Sequence, residues 1–167
     1  MAWRATLLNT LFESSYKFYA QHFKGHKTPW GLTAKDLLEH PPGSLGHRVG
    51  QYLRDNGFEL LPKLENHDIF HVVTQTPTDV KSEIGLQYLL WGNGKSSLYM
   101  WGVLLLGAAV LPEHLPYFLR QRARGAGLES FHKTDFQPLL KQPLEWAQPV
   151  PKRLAATHSA AQCEPAR

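Results

Sequence analysis

The chain has 167 residues, 43% of them hydrophobic, with a formal charge of +4 and a pI near 9.2. That is enough apolar material for one sizeable core, so a single domain is expected. The mild positive charge, with no Lys/Arg run interleaved with aromatics, gives no sign of nucleic-acid binding and suits an anionic ligand or a membrane surface. The one cysteine, Cys163, excludes a disulfide framework and a cysteine-rich metal site.

Residues 3 to 24 read as a helix, because Leu7, Leu8, Leu11, Phe12, Tyr16, Tyr19 and Phe23 recur at helical spacing. Arg4 is followed by this amphipathic stretch and not by a continuous apolar one, so no signal peptide is expected. A core helix is the ordinary reading; with Arg4, Lys17, Lys24 and Lys27 on it or after it, the sharper one is a helix lying on anionic lipid. Thr33 is the expected cap of a short helix holding Leu37 and Leu38. After the Pro41-Pro42-Gly43 turn, Ser44 caps a longer helix whose apolar face is Leu45, Val49, Tyr52 and Leu53, closed by Asn56-Gly57. Gly46 and Gly50, four apart, leave a bare strip on it. Each weakens the helix by up to about 1 kcal/mol, so tight helix packing or a ligand against the backbone is expected there.

Residues 65 to 87 carry the densest chemistry. His67 and His71 are four apart, so both imidazoles reach one point from consecutive turns of a helix, with Asp68 and Gln75 on the same stripe. Pro77 ends that helix and Thr78 is the expected N-cap of the next. His71 stands six residues before Pro77 and Glu83 six after it, so antiparallel arms would set them at one height. Lys81, Ser82 and Gly85 form the expected wet arc of the second arm, with Glu83 turned inward between Leu86 and Leu90. An inward carboxylate needs a cation or strong donors, and two neutral imidazoles facing one suit a divalent metal. An HxxxH pair is also an ordinary packing pattern. The zincin motif HExxH fits poorly, since Asp68 would replace its Glu; the phosphohydrolase HD pattern lacks its distant partners.

The second arm runs to Gly92-Asn93-Gly94. The next helix, Ser97 to Leu111, is apolar on nearly every side and is expected to be buried or to face lipid; it is too short for an ordinary membrane span. Pro112 ends it. A helix over Glu113 to Arg124 follows, with Arg120, Arg122 and Arg124 at its C-terminal end, where they complement the helix dipole or capture a phosphate. Thr134 caps a last stretch through Phe136, Leu139, Leu140, Leu144 and Trp146, broken by Pro138 and Pro143. The class is all-α: a single compact helical domain, residues 1–148, of about six to seven helices around a central metal-binding helical hairpin. Residues 149–167 read as a mobile tail.

These residues resemble the coenzyme Q (ubiquinone) biosynthesis protein 4 family. His67-Asp68-Ile69-Phe70-His71, eleven residues, then Glu83 matches its HDxxH…Glu pattern, and PPGSLGHRVGQYL at Pro41 to Leu53 is similar to its glycine segment. Ser82 departs from the family's Gly before the glutamate. The resemblance implies metal ligation by His67, Asp68, His71 and Glu83, with Asp68 either a ligand or an orienter of an imidazole, and catalytic roles for Glu83 and Asp68. It implies a divalent metal, zinc first, with iron, manganese, cobalt or magnesium as alternatives. It further implies C1 decarboxylation of a prenylated hydroxybenzoate-like acid or, alternatively, a non-catalytic prenyl-lipid scaffold. The implied partners are a prenylated quinone precursor or prenyl phosphate, other quinone-biosynthesis proteins, a second copy and a membrane surface. The implied location is peripheral, on the cytoplasmic face in a bacterium or the matrix side of the mitochondrial inner membrane. Gly46, Gly50, Trp101, Leu105, Arg120 and Arg124 are the candidate lipid or substrate contacts. A third reading, a zinc hydrolase, needs no prenyl chain.

Overall fold

A computed structural model describes residues 28–153; the helix expected over residues 3 to 24, Cys163 and the end of the expected tail lie outside them. Among the described residues the fold is all-α, with no named strand: α1 (Ala34–Leu38), α2 (Leu45–Asn56), α3 (Glu65–Thr74), α4 (Val80–Gly92), α5 (Leu98–Val110), α6 (Leu115–Ala126) and α7 (Leu144–Ala147), plus 3-10 turns at Pro112–His114 and Gln137–Leu139. The described chain forms two compact units, residues 28–83 with 135–148, and residues 84–134 with 149–153.

In the first unit the caps sit where the side-chain chemistry puts them. The Thr33 hydroxyl accepts from the Asp36 N–H while Asp36 accepts from the Thr33 N–H at 2.8 Å, a closed capping box. Ser44 Oγ accepts from the His47 N–H at 3.3 Å, and Gly57 ends α2 in the left-handed region at φ 67°. The glycine strip of α2 is filled by the chain itself. A Cβ on Gly50 would meet the Leu38 nitrogen at 2.8 Å, and one on Gly46 would meet the His40 ring and the Leu140 carbonyl at 2.9 Å. Of the two expectations for this strip, tight packing and a ligand, the described residues show packing, by α1 and the 137–142 segment. The latter is stitched on by Gly46 N–H to Leu140 O at 2.8 Å and Leu45 N–H to Gln142 O at 2.9 Å. Leu37, Leu45, Val49, Leu53 and Ile69 form the core of this unit, and Phe70 meets Phe136 edge-on at 5.9 Å. Glu65 opens α3 as a buried carboxylate, made tolerable by the N–H groups of Trp30 at 3.0 Å and Lys63 at 2.9 Å.

In the second unit two glycines let α4 and α6 cross backbone to backbone. A Cβ on Gly92 would collide with the Arg122 carbonyl, and one on Gly125 with the Leu89 carbonyl. Tyr88 stacks on Phe118 at 5.2 Å. Of the apolar helix α5, Met100, Val103, Leu104 and Gly107 are buried. Its other side is not: Leu98 is 84%, Leu105 69% and Trp101 39% exposed. Among the described residues no single helix is long and apolar enough to cross a membrane, and α5 bends by 104° into Pro112–Ala126. The helix expected over Glu113 to Arg124 starts as a 3-10 turn at Pro112 and runs through Gly125 to a cap at Gly127. The last expected helix is broken into a 3-10 turn and the four residues of α7, because Pro138 and Pro143 cannot donate to a helical ladder. Residues 149–153, assigned to the tail on composition, are tied down: the Glu129 N–H donates to Val150 O at 2.8 Å and the Lys152 N–H to Gly127 O at 2.9 Å.

Candidate metal centre

Three side chains of the first unit converge. His71 Nε2 lies 3.0 Å from Glu83 Oε1, His67 Nε2 lies 3.3 Å from Glu83 Oε2, and the two imidazole nitrogens are 3.2 Å apart. The i, i+4 spacing on α3 brings the rings together at 4.9 Å, edge to face. The connection that returns Glu83 to them is built locally. Gln75 leaves α3 in the left-handed region at φ 53°, and the Thr76 N–H caps the His71 carbonyl at 2.9 Å. Thr74 and Thr76 join hydroxyls at 2.7 Å. The cap of α4 is Asp79, not the expected Thr78: Asp79 Oδ1 accepts from the Ser82 N–H at 3.2 Å and Oδ2 from the Ser82 hydroxyl at 2.6 Å. Thr78 instead donates to Asn56 Oδ1 at 3.3 Å.

Glu83 does point at the imidazoles, but of the expected wet arc only Lys81 keeps exposure. Ser82 and Gly85 are buried, Ser82 because it turns onto Asp79 and Gly85 because the Tyr117 ring covers it. Glu83 keeps the most exposed side chain of the three, 27% against 15% for His67 and 0% for His71.

The tautomer of His71 follows from its second bond. Its Nδ1 sits 2.9 Å from the Thr76 carbonyl, which can only accept, so Nδ1 carries a proton and Nε2 is the atom turned to the site. Burial pushes the His71 imidazole down, but the Glu83 hydrogen bond and charge outweigh it, and the net shift is upward. Burial likewise works against the charged form of Glu83, yet hydrogen bonds from His67 and His71 hold its carboxyl down at about 2. The site is therefore a carboxylate shared by two imidazoles.

Asp68, an expected ligand, is not in this group. The residue after His67 is turned about 100° around the helix. Its carboxyl is buried, hydrogen-bonded by the Leu61 backbone, and pushed up to about 7, by burial first and then by Glu83 and Glu65 against the opposing pull of His71. Asp68 Oδ2 has no hydrogen-bond partner among the described residues. Two residues not singled out from sequence complete the surroundings. Thr76 supplies the orienting carbonyl, and Tyr52 stacks on His71 at 5.8 Å and 18°. Tyr52 reads as core because it shares the apolar face of α2. Burial, then the charges of Asp68 and Glu83, push its phenol above the ordinary range, so it is a donor at neutral pH.

The remaining expected contacts, Trp101, Leu105, Arg120 and Arg124, belong to the second unit. There the Arg122 guanidinium lies 4.2 Å over Trp91, and Trp91 meets Trp101 edge-on at 5.3 Å. Arg120 and Arg124 are exposed.

The donor set His67, His71 and Glu83, with its ligand atoms within 4.8 Å of one another, can hold a metal ion. Two nitrogens and a carboxylate oxygen suit a divalent transition metal and leave room for a fourth ligand. No protein-family model and no curated protein matches the sequence. A crystal structure from Nostoc punctiforme, described as a "Putative ubiquinone biosynthesis protein", is similar in fold, with a TM-score of 0.58 at 20% identity over 86% of this chain and 78% of that one. At that identity the likeness concerns the fold.

Proposed function

We propose that His67, His71 and Glu83 bind a divalent metal, zinc first among the candidates, and that the protein acts in quinone biosynthesis on a prenylated aromatic acid. The observation that carries this is the convergence of both imidazole Nε2 atoms on the two oxygens of one carboxylate, within 3.3 Å. The HDxxH…Glu pattern and the fold shared with the Nostoc protein support the biosynthetic assignment. The reaction is decarboxylation at C1 of a hydroxybenzoate-like ring; its oxidative form replaces the carboxylate by hydroxyl and draws on an external oxidant. A bound metal supplies Lewis acidity toward a ring carboxylate or phenolate. Thr76 holds His71 in the ligating tautomer, Glu83 supplies the anionic ligand, and Asp68, protonated up to about 7, is the carboxyl available to exchange a proton at neutral pH.

A second reading, a prenyl-lipid scaffold whose metal grips a prenyl phosphate, is favoured by the exposed side of α5. Leu98, Trp101 and Leu105 stand out of a unit that also exposes Arg120, Arg122 and Arg124. Exposed apolar and tryptophan side chains in a unit that also exposes arginines suit the surface of an anionic bilayer, and on either reading the protein is peripheral to a membrane, with other quinone-biosynthesis proteins or a second copy as partners. Glu83→Gln separates the two. In an enzyme, turnover of a prenylated 4-hydroxybenzoate falls on the order of a hundredfold or more while sedimentation with anionic vesicles is unchanged. Quinone production that survives with intact lipid binding would establish the scaffold instead.

A further inference from the structure

The Tyr52 ring lies nearly parallel to the His71 imidazole, 5.8 Å between centroids at 18°, and Phe58 closes on it edge-on at 6.2 Å. Its phenol is thus fixed beside the triad. The Glu83 oxygens face the two imidazoles, and Asp68 Oδ2 has no hydrogen-bond partner among the described residues.

We propose that Tyr52 is a positioning residue for an anionic ligand of the metal, its O–H donating to a carboxylate or phenolate oxygen placed at the coordination position that His67, His71 and Glu83 leave free. The inference rests on the metal-binding reading of the triad. Its physical reason is charge. An anion arriving here meets the negative charges of Glu83 and, when ionised, Asp68, and both imidazoles are committed to the metal. The phenol is a neutral donor, held in place by stacking, that offsets the repulsion without competing for the ion. A hydrogen bond to a charged acceptor contributes about 1.5–3 kcal/mol, which corresponds to roughly a tenfold change in affinity or more.

The test uses the full chain loaded with Co2+, whose visible absorption reports the ligands, titrated with 4-hydroxybenzoate. Tyr52→Phe keeps the ring and the stack. It is expected to bind Co2+ within about twofold of wild type while its 4-hydroxybenzoate dissociation constant rises about tenfold or more. Equal 4-hydroxybenzoate affinity in the two proteins overturns the role of Tyr52 and leaves the metal site standing. So does a wild-type Co2+ spectrum that does not respond to 4-hydroxybenzoate. Loss of Co2+ affinity in Tyr52→Phe by tenfold or more also overturns it, since the hydroxyl would then be serving the ion's own site. Absence of Co2+ binding to wild type brings down the metal reading and the inference with it.

Discussion

Asn93 and the His67–His71–Glu83 group are both clusters of polar side chains set into apolar surroundings, and they differ in how their atoms are spent. The Asn93 amide donates to the carbonyls of Gly125 at 3.2 Å and Glu129 at 2.9 Å, and its oxygen accepts from the N–H groups of Phe131 at 2.9 Å and His132 at 3.1 Å. That fills the amide's capacity and fixes the 125–132 segment. At the triad, three potential ligand atoms face one another, and the Asp68 oxygen nearby is buried and unpaired. Polar groups that serve the fold pair among themselves. The triad's groups also pair with one another, but they converge on one point beside a buried, unpaired carboxyl oxygen, so a bound ion can take the place of those bonds.

The contrast breaks most visibly on Asn93→Ala. Buried backbone donors and acceptors lose their partners, so urea unfolding is expected to show a loss of about 3–4 kcal/mol, with the metal affinity of the folded fraction unchanged. A loss below about 1 kcal/mol would mean the amide is not a scaffold element. His71→Ala works the other way. Calorimetric titration with Zn2+ is expected to show affinity reduced at least a hundredfold or so, whereas Asp68→Asn, outside the converging group, costs about tenfold or less. Equal losses would place Asp68 among the ligands.

The smallest effect, and the one that sharpens the comparison most, is the pH dependence of the metal-free protein. The Glu83 carboxyl is held at about 2 from an ordinary 4.5, so its contribution is complete above 4.5 and is lost as pH falls toward 2. The His71 imidazole is raised above 6.5, so its contribution is complete below 6.5 and is lost as pH rises through the folded value. The stability difference between wild type and Glu83→Gln should therefore be greatest between pH 4.5 and 6.5. Saturating Zn2+ should reverse the upper limb, because ligation requires Nε2 without its proton. A difference independent of pH would show that the three groups do not share charge.

Much of the site is legible before folding. The caps at Thr33 and Ser44, the left-handed exit at Gly57, the i, i+4 histidines and the break at Pro77 with Glu83 beyond it are matters of backbone chemistry within a few residues. The shift of the cap from Thr78 to Asp79 also belongs to that local level: Ser82 adds a second hydrogen bond to the aspartate that Thr78 cannot match. Periodicity misjudged Ser82 and Gly85, and it left open what fills the strip at Gly46 and Gly50 and which side of α5 is covered, because each depends on what another part of the chain lays against it.

By itself, then, the sequence determined an all-α class, the caps at Thr33, Ser44 and Gly57, and a pair of imidazoles with a carboxylate at matching distance from a proline break, since turn-to-turn spacing and capping act over one or two helical turns. Tertiary structure alone decided that Asp68 stands aside, that Tyr52 stacks on His71, that the α2 glycines are filled by α1 and the 137–142 segment, and that the described chain divides into two units partway along α4. Burial and stacking are set by atoms far apart in the chain, and no local pattern encodes which of them will meet.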